Sequence, residues 1–135
     1  MIPSLAFVPA HSRLKLVAVW LESSGEHLAI SEWTLVEFAS AAAIKRRTGQ
    51  ATANLVKQAT ARMYEFAQKH CTIAVPRREN FRRAAELAGN DALKLRAGDA
   101  LHLAIAESLN TQGLLCLDQT MIESAKSLGM TVASL

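Results

Sequence analysis

Apolar positions along the chain change period repeatedly, from short continuous runs to helical stripes and back. A short apolar segment at 4–8 is followed by Leu14, Val17, Ala18 and Leu21 at helical spacing, which predicts a helix over 12–22 closed by Ser23-Ser24-Gly25. Residues 27–30 are brief and apolar, and Ser31 can cap a helix running to about Thr48, with Gly49 as its stop. A second, amphipathic helix over 51–69 carries Leu55, Ala59, Met63, Phe66 and Ala67 along one stripe. Residues 72–75, rich in β-branched residues and ended by Pro76, read as a strand. A basic helix over 78–88 then stops at Gly89-Asn90, and 91–96 reads as a helical turn or short helix leading to Gly98. Residues 100–106 have almost no polar face, which predicts a helix buried on most sides. Another apolar strand follows at 114–117, then a helix over 119–128 closed by Gly129 and a last short strand at 131–133. Strands alternating with single helices or helix pairs imply an α/β fold, a largely parallel sheet covered on both faces.

Composition narrows this little. At 135 residues the chain has the size of one domain, 1–135, able to bury roughly two-thirds of its unfolded surface without a disulfide or metal. Half its residues are hydrophobic and a fifth charged, which excludes a disordered or collagen-like chain. Cys71 and Cys116 fit neither a secreted scaffold nor a Cys-x-x-Cys metal pattern, so a reducing, cytoplasmic setting is expected. The first residues have no positive leader, and no stretch reaches the roughly 18 apolar residues of a membrane span, so no membrane association is expected. The net charge of +3 permits a polyanionic partner without requiring one.

The chemistry lies in three acids. Glu37 stands two turns into the helix after strand 27–30, Asp99 opens the buried helix, and Asp118 is the first polar residue after strand 114–117. In parallel sheets, ligands gather at the carboxyl ends of the strands. Carboxylates converging there make an oxygen-rich site suited to Mg²⁺ or Mn²⁺, which can activate water and neutralise a phosphodiester. Each acid also has an ordinary structural reading. Thr34 with Glu37 fits a capping box, and Asp99 can cap its own helix. Thr120 with Glu123 already supplies a box for the last helix, which leaves Asp118 freer for function.

The remaining candidates are weaker. His102, one turn after Asp99, reads first as a packed, hydrogen-bonded core histidine and only second as a ligand. His11, His27 and His70 share no ligand spacing, so nothing supports zinc, and no Gly-x-Ser-x-Gly elbow or phosphate-cradling loop occurs. Basic residues cluster at Lys45-Arg46-Arg47, Arg77-Arg78 and Arg82-Arg83, and an acidic metal site nearby would let them hold a nucleic-acid backbone. Trp33 and Phe38 flank Glu37, as core residues first and as base-stacking platforms second. No helix pair combines a basic recognition face with a Gly turn, which excludes a helix-turn-helix DNA binder.

Three strings carry a resemblance. Ile30-Ser-Glu-Trp-Thr-Leu-Val-Glu37-Phe-Ala-Ser, Leu95-Arg-Ala-Gly-Asp99-Ala-Leu-His-Leu-Ala-Ile-Ala and Leu114-Leu-Cys-Leu-Asp118-Gln119 resemble the successive internal motifs of PIN domains, especially VapC-type toxins. The resemblance, from about Leu14 onward, implies a three-layer α/β/α fold around a mainly parallel sheet. It implies a Mg²⁺- or Mn²⁺-dependent endoribonuclease acting on tRNA or ribosomal RNA, a homodimer inhibited by a cognate antitoxin, with Glu37, Asp99 and Asp118 as metal-binding carboxylates. Two departures stand out. Ile2 aligns with the first catalytic aspartate of the family, so most of the first strand is expected to be missing, which would leave its neighbours with unpaired edges. No aspartate occurs before position 91, and Cys116 stands where the family commonly has Thr. Weak metal binding and little cleavage follow, and the alternative is a catalytically degraded scaffold that binds antitoxin or RNA without cutting.

Overall fold

The computed structural model describes residues 3, 5–8, 14–116 and 118–133, with the backbone alone at 8 and 14–16. Ile2, Ser4, His11, Leu117, the helix start expected at 12–13 and the side chain of Leu14 lie outside the described residues. The predicted alternation is present. In chain order the elements are β1 (Leu5–Val8), α1 (Leu14–Ser24), β2 (Leu28–Ser31), α2 (Glu32–Arg47), α3 (Ala53–His70), β3 (Cys71–Ala74), α4 (Arg78–Ala88), α5 (Ala97–Ser108), β4 (Gly113–Cys116), α6 (Gln119–Ser127) and β5 (Val132–Ala133). Residues 91–93 form a single turn, with the Leu93 amide donating to the Asn90 carbonyl at 3.0 Å.

The five strands form one parallel sheet in the order β3-β2-β1-β4-β5. The chain builds outward from β1 through β2 to β3, then returns past β1 to lay down β4 and β5, so strand order reverses beside β1. Alternation along the strands sorts the core. Leu5, Phe7, Leu28, Ile30 and Leu115 point to one face, where Val17 and Leu21 of α1, Phe38 of α2 and Met63, Phe66 and Ala67 of α3 cover them. Phe7 and Phe66 meet there with ring centroids 5.9 Å apart, tilted at 57°. Ala6, Leu114 and Cys116 point the other way, under α4, α5 and α6. The result is an α/β/α sandwich. Helix α5 is buried from Ala100 to Ala106 without a break, as its lack of a polar face predicts.

Several expectations need correcting. Leu5–Val8 occupies the centre of the sheet and pairs with β2 and β4, so the neighbours of this strand do not have the bare edges expected there. Ile2 precedes this strand in the sequence and is therefore not at its carboxyl end. Leu55, at the head of the predicted apolar stripe, is 55 % exposed, because the stripe meets the core only from Ala59 onward and is buried from Met63. Helix α5 begins at Ala97, so Asp99 sits in its first turn and Arg96 holds the cap position. Gly49 does stop α2: its φ of +77° is a left-handed conformation that side-chain-bearing residues adopt at a cost.

Candidate functional site

Helices α2 and α5 approach each other through residues spaced four apart, which share one helix face. On α2 these are Trp33 and Glu37; on α5 they are Gly98 and His102. The buried His102 ring, 7 % exposed, hydrogen-bonds through Nε2 to Glu37 Oε1. An ionised carboxylate only accepts, so Nε2 donates. The other carboxylate oxygen lies against Gly98: a β-carbon there would stand 3.0 Å from Glu37 Oε2 and 3.5 Å from Trp33 Cζ2. Glu37 is thus not the partner in a capping box with Thr34, which lies buried inside α2. His102 is the hydrogen-bonded core residue that its apolar surroundings suggest.

Asp99 is the next residue around α5. Its carboxyl is held above the usual carboxylate range, first by burial and then by the negative charge of Glu37, with Asp118 adding to the same effect. His102 and, more weakly, Arg96 oppose the shift. Glu37 and Asp118 thus both act on the carboxyl of Asp99, from α2 and from the turn after β4. Like charges brought together without full compensation are a common mark of a functional site.

Asp118 corrects the sequence reading in part. It is itself the N-cap of α6, its Oδ1 accepting from the Met121 amide at 2.9 Å, so the expected box of Thr120 and Glu123 is not what starts this helix. One of its oxygens is engaged and the exposed side chain retains the other. The Cys116 thiol donates to the Asp118 carbonyl at 3.8 Å, joining the end of β4 to the same turn. Burial pushes the Cys71 thiol up to about 12, which keeps it out of thiolate chemistry.

Among the described residues, no three Asp, Glu, His or Cys side chains gather into a set enclosing an ion. The donor chemistry nevertheless fits a hard divalent cation. Glu37 Oε2, the Asp99 carboxylate and the second oxygen of Asp118 are all oxygens, the donor type that such a cation takes.

Of the remaining candidates, Trp33 borders this centre beside Gly98 and supplies no ligand atom. Phe38 is buried in the core, and Trp33 packs half-buried against the cluster beneath α4–α6. Arg78 and Arg82 are exposed on α4, but Asn80 of that helix donates to Ser108 at 3.0 Å, at the far end of α5 from Asp99. Arg83 is occupied by Glu86 and Glu107 at 3.0 and 3.1 Å. No helix among the described residues is long and apolar enough to cross a membrane. A scan against models of known protein families gives no match for this chain, and no curated protein matches its sequence.

Proposed function

We propose that this chain is a Mg²⁺- or Mn²⁺-dependent endoribonuclease of the PIN type, the toxin of a VapBC-type toxin-antitoxin pair, acting in the cytoplasm. The observation that carries the proposal is the place of Asp99 in the first turn of α5, where its half-buried carboxyl lies within reach of the charges of Glu37 and Asp118. When bound, the metal would supply an activated water and neutralise the phosphodiester. The chain's own residues would hold it: Glu37 through Oε2, Asp118 through the oxygen not used in capping α6, and the Asp99 carboxylate. The motif resemblance adds tRNA or ribosomal RNA as substrate, a cognate antitoxin as inhibitor and a second copy of the chain as partner.

A second reading is favoured by one specific feature. No acidic residue precedes Glu22, so β1, which ends at Val8 in register with Cys116, brings no carboxylate to the site. A cage short of one negative charge holds its ion more weakly. On this reading the protein is a degraded scaffold that binds RNA or antitoxin without cutting.

Mn²⁺ titration followed by melting temperature, beside an RNA cleavage assay, separates the two. A ligand at 100 times its Kd stabilises by about 2.7 kcal/mol, a readily measured rise. A rise that is lost in Asp99→Asn and Asp118→Asn, together with metal-dependent cleavage, supports the nuclease. The same rise without cleavage supports the scaffold. No shift at millimolar metal overturns the metal centre itself.

A further inference from the structure

We infer that His102 and Gly98 are positioning residues for the Glu37 carboxylate, His102 by holding Oε1 and Gly98 by leaving the space in which Oε2 lies. The inference rests on the metal-centre reading above and adds to it two residues that donate nothing to an ion. Glutamate is a long side chain with many rotamers, and 35 % of the Glu37 side chain is exposed, so its carboxylate orientation depends on what it touches. On one side it meets a ring that is itself fixed, in a helix buried without a break from Ala100 to Ala106. On the other it meets a backbone with no side chain, where a β-carbon would come within 3.0 Å of Oε2 and 3.5 Å of the carboxyl carbon. Trp33 stands one helical turn before Glu37 and closes the same gap, its Cζ2 3.5 Å from the position of that β-carbon. The carboxylate is clamped at one oxygen and given room at the other, on the turn that carries Asp99. Holding a ligand by a hydrogen bond at its far oxygen is how outer partners orient metal-binding groups.

The test uses the full chain and Mn²⁺ alone, with free Mn²⁺ read by electron paramagnetic resonance. His102→Leu fills the ring's space without a donor, His102→Gln keeps an N–H, and Gly98→Ala introduces the crowding β-carbon. Alanine is a better helix former than glycine, so lost affinity in Gly98→Ala does not reflect a weaker helix. His102→Leu and Gly98→Ala are expected to weaken Mn²⁺ binding about 10- to 100-fold, with His102→Gln close to the starting protein. Unchanged affinity in both His102→Leu and Gly98→Ala overturns the inference. A metal-free readout separates it from the reading beneath it: the ¹³C resonance of the Glu37 carboxyl should move in His102→Leu and Gly98→Ala and return in His102→Gln. Should the starting protein bind no Mn²⁺, the metal centre falls, and the resonance alone decides the positioning, for it if the signal moves and against it if the signal stays.

Discussion

The two helical layers on either side of the sheet are finished in different ways. The layer of α4, α5 and α6 is tied together by polar contacts as well as apolar ones: Asn80 to Ser108 at 3.0 Å, Ser124 to the Leu93 carbonyl at 3.1 Å, and Arg83 forked onto Glu107. The layer of α1, α2 and α3 turns more of its large apolar residues outward, whereas among the described residues the other layer so exposes Phe81 on α4. Val19, Val36, Ile44, Leu55 and Tyr64 are all exposed on α1, α2 and α3, and a cleft between α2 and α3 is lined by Phe38, Ala42, Leu55 and Ala59 with Lys45 and Arg62 at its rim. At the start of α2, Ser31 Oγ, Trp33 Nε1 and Thr34 Oγ1 are buried without a partner among the described residues. Such atoms cost stability where a paired polar group would not. The difference separates a layer whose energy is in the folded interior from one that leaves part of its apolar surface unused.

The sharpest way to break that contrast is the same substitution in both layers. Leu103 on α5 is fully buried and Leu55 on α3 is 55 % exposed. Leu103→Ala should lower unfolding free energy by about 2–5 kcal/mol, through lost burial and the cavity left behind, while Leu55→Ala should stay within about 0.5 kcal/mol. Urea denaturation of both variants checks this. Comparable losses would mean that the groove of α3 is as much a part of the core as α5.

Asp99 is the exception within the better-tied layer, and its prediction has a sign. An acid whose folded pKa is raised favours folding while protonated, below its ordinary value of 3.8, and loses that contribution as pH rises through the raised value. Asp99→Asn cannot ionise, so it should be more stable than the starting protein at neutral pH. The advantage should fade as the pH is lowered towards and below 3.8. Melting curves of the pair across pH 3 to 8 read the difference. A variant less stable at neutral pH would show that Asp99 is a compensated helix-terminal charge after all, favoured by the α5 dipole.

The sequence made the layers legible because each rests on local periodicity. The run of 100–106, apolar but for His102, reads as a buried helix, and 27–30 and 114–117 read as short apolar runs between turn signals, the strands 28–31 and 113–116 to within one residue. The acids were legible one at a time, Asp99 and Asp118 because they stand at element boundaries and Glu37 because it lies two turns into the helix after a strand. What joins them was not. The bond from Glu37 to His102 spans 65 positions, and no spacing within either helix announces it. A usable hint was present in two four-residue steps, Trp33 to Glu37 and Gly98 to His102, each placing a pair on one helix face. The cap of α6 was misassigned because Asp118 and the box of Thr120 and Glu123 compete for the same start, and local pattern does not decide between them. The central strand is formed by the short apolar run at Leu5–Val8, which four residues of local pattern do not distinguish from an edge strand.

The smallest effect concerns how the α4–α5 layer is tied. Arg83 reaches Glu107 with two hydrogen bonds, Nε to Oε1 at 3.1 Å and Nη2 to Oε2 at 3.2 Å, and its side chain is 40 % exposed against 29 % for Glu107. Forked geometry strengthens such a pair, while solvent exposure and the sharing of Arg83 with Glu86 weaken it. A double-mutant cycle of Arg83→Ala and Glu107→Ala should give a coupling of about 0.2–1 kcal/mol that shrinks with added salt. Coupling near zero at low salt would leave the neutral contacts, Asn80 to Ser108 and Ser124 to Leu93, as the polar ties of this layer. The contrast with α1–α3 would then rest on buried hydrogen bonds and apolar packing alone, and the surface fork would be geometry without energy.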